Sequence, residues 1–253
     1  MGGGIASHMH ATDLNDAELL QLLAICAHDV YTFSGEYLAD KLTLEYNEIE
    51  DGANENEIQF GVYTIKSTST DKAGQKIMAF RGRNTLKTTR QLRDFASGGQ
   101  YIRSVLEIAC SMTQKHGVQW VCGHSLGGAF AECVCSKHGI GGAAFNTWGP
   151  YSSSQPYSLL LGNAFTGVPF EVHLTSADPM MQYWNDRHIS APKWHHHMGE
   201  GISEDSAAKM SRIRSQINQE SPPEDLDNAL NSEDGKELYK IHSMDEMVKQ
   251  FVQ

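Results

Sequence analysis

VQWVCGHSLGGAFAECVCSKH, residues 118–138, reads as a strand, one sharp turn carrying a serine, and a helix. Val118, Trp120, Val121 and Cys122 form a β-favouring run too short for a helix, and Gly123 ends it. Beyond the turn Leu126, Ala129, Phe130, Cys133 and Val134 recur at helical spacing and mark one apolar face that stops near Gly139. Strand and helix meet at Ser125. A serine in so tight a turn needs neighbours without side chains, which Gly123 and Gly127 provide, while Gly128 lets the helix lie close to its strand. The hydroxyl is thereby lifted clear of the sheet at a helix N-terminus, where backbone N–H groups favour a developing negative charge.

The chain has 253 residues, enough for a single α/β domain with one buried sheet. Its net charge of −11 and lack of a basic stripe argue against nucleic acid as a partner. The same charge gives no long-range attraction to anionic lipid, so any membrane contact would be transient, local and apolar. Residues 1–9, MGGGIASHM, read as a vector-derived leader. No signal-peptide pattern and no apolar run of membrane-spanning length is found, so the expectation is a soluble protein, cytoplasmic or exported without a cleaved signal. Five cysteines, three of them in residues 118–138, point to reduced thiols rather than a disulfide framework.

Residues 13–30 show a helical apolar face with acids at its start, and His28 near its end reads as a structural residue suited to the helix dipole. Residues 45–57 hold six acids and no base, which predicts a solvated loop. Strands are expected at 58–65 and 75–80, a helix at 101–116, and further strands at 141–148 and 168–175. A serine nucleophile needs a histidine base, and the histidine a carboxylate. Asp178, just past a predicted strand and before Pro179, is the best acid, with Asp186 second. Candidate bases after it are His188, His195, His196, His197 and His242. Three adjacent histidines suggest a metal, but neighbouring side chains point apart, so no metal site is assigned.

GHSLGG resembles the nucleophile elbow of the lipase class 3 family of α/β-hydrolases, which includes fungal-type triacylglycerol lipases and bacterial sn-1 phospholipases. The resemblance implies an α/β-hydrolase fold, a mostly parallel central sheet with helices on both faces, across a single domain at 10–253 with a polar insertion near 199–237. AFRGRN at 79–84 is similar to the family's F-R-G-[ST] segment, which implies backbone N–H donors from Leu126 and Arg83 in an oxyanion hole. Arg83 departs from the pattern, standing where the family usually has a hydroxyl residue. Residues 86–97 correspond to the family's lid, although they carry few large apolar side chains. WHHHMGEG is similar to a family segment that does not supply the base. LYKIHSMDEMVKQF resembles the family's ending, in which the catalytic histidine precedes the last helix, with Ser243 as its cap, and this selects His242. The expected chemistry is serine ester hydrolysis on lipid esters, phospholipid or acylglycerol, through Ser125, Asp178 and His242, with Gly123, His124 and Gly127 shaping the elbow. No cofactor is implied. The alternatives are an acyltransferase using the same serine, and a catalytically silent binding module.

Overall fold

The computed structural model describes residues 13–38, 40–47, 59–66, 71–82, 100–147, 167–175, 178, 188–190, 192–195, 208, 228 and 232–252. The leader, Arg83, residues 86–97, Asp186, His196, His197 and most of 199–237 lie outside them.

The first helix, α1 (Ala17–Asp29), starts later than the apolar pattern suggests because Asp16 caps it, its carboxylate accepting the Leu19 amide at 2.9 Å. Strands β1 (Leu42–Asn47), β2 (Phe60–Ile65) and β3 (Lys76–Phe80) follow, then α2 (Gln100–His116), β4 (Trp120–His124), α3 (Leu126–His138), β5 (Gly141–Phe145), β6 (Phe170–Thr175), β7 (Lys193–His195), α4 (Glu233–His242) and α5 (Met244–Val248). Gly139 ends α3 with φ 64°, and its N–H returns to the Cys135 carbonyl.

The seven strands lie side by side in chain order. β1 and β2, and β2 and β3, run antiparallel; from β3 to β7 every pairing is parallel. The chain is therefore of the α/β class, with a mostly parallel sheet. Alternate residues of each strand feed two cores. Met78, Phe80, Val121, Ala144 and Val172 face Phe130 and Val134 of α3, whereas Ile77, Ala79, Cys122, Ala143 and Phe145 face Leu22, Leu23 and Cys26 of α1 and Met247 of α5. At about 25 cal/mol per Å² of apolar surface removed from water, these two layers supply the main driving force for folding.

Several elements depart from the sequence-based expectation. Residues 45–47, expected within a loop, belong to edge strand β1, in which only Leu42 is buried and Glu45 pairs with Lys76 at 2.8 Å. β7 was not expected at all. Neither was α4, which begins at the end of the polar insertion and runs on to His242. The strand before Ser125 runs on through Gly123 to His124. Among the described residues no helix is long and apolar enough to cross a membrane.

Candidate active site

Ser125 sits between the end of β4 and the start of α3 with φ 56° and ψ −126°, a conformation that costs a non-glycine residue about 1–3 kcal/mol. The surroundings enforce it. The Ser125 N–H donates to the Phe145 carbonyl at 3.0 Å, which continues the β4–β5 ladder, while its own carbonyl accepts from Gly128 and Ala129 and begins the helix. One residue thus belongs to both elements.

The glycines are there because backbone passes against backbone. A methyl group on Gly127 would stand 2.1 Å from the Phe80 carbonyl oxygen, and one on Gly123 would stand 2.3 Å from the Gly127 carbonyl. Gly82, just past β3, is equally confined: its Cβ would meet the Tyr31 hydroxyl at 2.3 Å, the His124 carbonyl at 2.7 Å and the Ser125 Cβ at 3.1 Å. The segment expected to supply one oxyanion donor therefore lies directly against Ser125. Leu126, expected to supply the other, is the first residue of α3, and Arg83 is outside the described residues.

Asp178 follows β6, its N–H donating to Thr175, and its side chain is fully buried. The Thr175 amide in turn donates to Oδ1 of Asn146 at 2.7 Å, joining the ends of β5 and β6 beneath it. Asp178 Oδ2 meets Nδ1 of His242 at 2.5 Å. His242, 3% exposed, is the last residue of α4, and the Ser243 hydroxyl accepts the Asp245 amide to cap α5 as expected. With Nδ1–H given to a buried carboxylate, the basic lone pair of His242 is on Nε2.

Ser125 and His242 are linked through His124. Its Nε2–H donates to the His242 carbonyl at 2.7 Å, and the two imidazole centroids are 4.8 Å apart. Its Nδ1 accepts from the Tyr31 hydroxyl at 2.7 Å. Burial, and then the charge His242 can carry, hold the His124 pKa well below the usual imidazole range, so this ring is neutral. Sequence reading had Gly123, His124 and Gly127 as the turn, but Tyr31 gave no signal, since it lies 93 residues from His124.

The other histidines have different partners. His188 Nδ1 binds the buried carboxylate of Glu132 on α3, whose second oxygen accepts the Ile189 amide. His195 Nε2 binds His173 Nδ1 at 2.7 Å, and His173 Nε2 donates to Glu171, which also takes Lys193 and the Leu14 amide. His28 binds Asp245 at 2.8 Å. Among the described residues no group of three His, Cys, Asp or Glu side chains is arranged to hold a metal ion. All five cysteines are free and buried.

No protein-family model matches the sequence, and no curated protein matches it.

Proposed function

We propose that the chain is a serine carboxylic-ester hydrolase of the α/β-hydrolase type, acting on lipid esters such as phospholipids or acylglycerols. The observation that carries this reading is the strained Ser125 at a strand-to-helix turn, beside a buried Asp178–His242 pair tied by its backbone to the preceding residue. In this reading His242 Nε2 takes the Ser125 proton as Oγ attacks the acyl carbonyl, and Asp178 holds the imidazole in the required tautomer and stabilises the imidazolium. The tetrahedral oxyanion is received by the N–H of Leu126 at the head of α3, with the N–H of Arg83 as the second donor that the resemblance of AFRGRN to the class 3 lipases implies. His242 then returns the proton to the leaving alcohol, and water repeats the sequence to free the carboxylic acid. Every group needed is a side chain or backbone amide of the chain itself. The choice of lipid esters rests on the GHSLGG wording and its resemblance to the class 3 lipases.

A fluorophosphonate probe tests the chemistry directly. It is expected to label the wild-type protein at one residue and to leave Ser125→Ala unlabelled; persistent labelling of that variant, or none of the wild type, rejects the reading. Hydrolysis of phospholipid, triglyceride and short nitrophenyl ester panels then sorts the substrate class.

A further inference from the structure

We infer that His124, set by Tyr31, is a positioning residue for the catalytic base: the Tyr31–His124 pair anchors the backbone of His242 so that only its Nε2 face is presented to Ser125. The inference rests on the ester-hydrolase reading and extends it to two residues beyond Ser125, Asp178 and His242.

Asp178 fixes one ring atom of His242 and leaves the imidazole able to pivot about that contact. His124 removes this freedom from the other end, through the bond to the His242 carbonyl. Because a carbonyl only accepts, Nε2 of His124 must carry hydrogen; in the neutral ring Nδ1 is then the acceptor, and the Tyr31 hydroxyl donates to it. The tautomer of His124 is therefore fixed from both sides. Arg81 reinforces the arrangement, its guanidinium lying over the Tyr31 ring at 5.6 Å from the centroid. A nearby cation makes the phenol a better donor, and burial, then the charge His242 can carry, disfavours a positive charge on His124. That matters because the His242 ring, 4.8 Å away, has to become a cation during the reaction, and a charged His124 would oppose it. Tyr31 is also the hydroxyl that abuts Gly82, so the same side chain braces the turn beside Ser125.

The test compares His124→Gln, which keeps an N–H donor near the Nε2 position and carries no charge, with His124→Met, which fills similar volume without a donor. Fluorophosphonate labelling rates, kcat and KM on a nitrophenyl ester and melting temperatures are measured for both, with wild type and Ser125→Ala alongside. A displacement of the base on the ångström scale costs on the order of 100-fold, so His124→Met is expected to lose about 30- to 100-fold in kcat and labelling rate with KM little changed. His124→Gln is expected to recover to within about fivefold of wild type, as a retained donor requires. Tyr31→Phe, a milder change, is expected to slow labelling about three- to tenfold and serves if His124→Met does not fold. Equal labelling of His124→Met and wild type, or equal loss in the Gln and Met variants at matched melting temperature, or an unaffected Tyr31→Phe, overturns the inference while the ester-hydrolase reading stands. A wild type that does not label overturns both.

Discussion

Asp178 and His242 stand 64 positions apart in the chain and meet at 2.5 Å, both essentially cut off from solvent. Two buried ionisable groups so close are tolerated only as a hydrogen-bonded pair. Replacing Asp178 by Asn keeps the shape but offers an amide that favours the wrong imidazole tautomer. Turnover of an ester substrate by Asp178→Asn is expected to fall about 10⁴-fold with the far-ultraviolet circular dichroism unchanged.

Ser125 is held at φ 56° against the preference of any residue with a side chain. Ser125→Gly removes the hydroxyl and that strain together. The variant is expected to lose all probe labelling and yet to gain about 1 kcal/mol in urea unfolding, the strain released exceeding glycine's entropic penalty. A variant less stable than wild type would mean that the turn is not strained.

Glycines 127 and 74 separate steric from conformational need. A Cβ on Gly127 would strike the Phe80 carbonyl at 2.1 Å, whereas one on Gly74 meets nothing within 4 Å although φ there is 83°. Gly127→Ala is expected to destabilise by at least about 2 kcal/mol or to abolish folding, and Gly74→Ala by about 1 kcal/mol, in denaturant titrations.

Acid should weaken the β6–β7 edge in two stages. Burial first, then the neighbouring His173 and Lys193, bring the His195 pKa down to about 4 from 6.5. Between those values the unfolded chain binds the extra proton, so this contribution is complete above about pH 6.5 and is lost as pH falls through the window. Burial raises the Glu171 pKa, but hydrogen bonds from His173, Lys193 and the Leu14 amide outweigh it and hold the group at about 2, below the ordinary 4.5. Its contribution is present above 4.5 and disappears as pH falls towards 2. The urea midpoint is expected to drop between pH 7 and pH 4, with a shallower slope in His195→Gln; buried His124 and His173, whose pKa values are also lowered, sustain the remainder.

How much of this was legible depended on how local the physics was. The turn at Ser125 is written in adjacent residues, since Gly123 and Gly127 are required within five positions of one another, and the strands beside it are bounded by glycine. Edge elements hid themselves. β1 buries only Leu42 and so shows no alternation, and β7 has three residues, too few for any periodicity to register. α4 begins inside the polar insertion, and its apolar residues Leu238, Tyr239 and Ile241 fall too late in it to mark its start. His242 was reached by resemblance rather than by pattern. The bonds from Tyr31 to His124 and from His124 to His242 span 93 and 118 positions, and no local rule links residues that far apart.

The contact of Gly127 with the Phe80 carbonyl and of Gly82 with Ser125 leaves no slack where three backbones cross. Such a junction behaves as a mortise: no one stretch of backbone can shift without moving its neighbours. Adding a side chain at any of these glycines must therefore displace main chain or the residues braced against it.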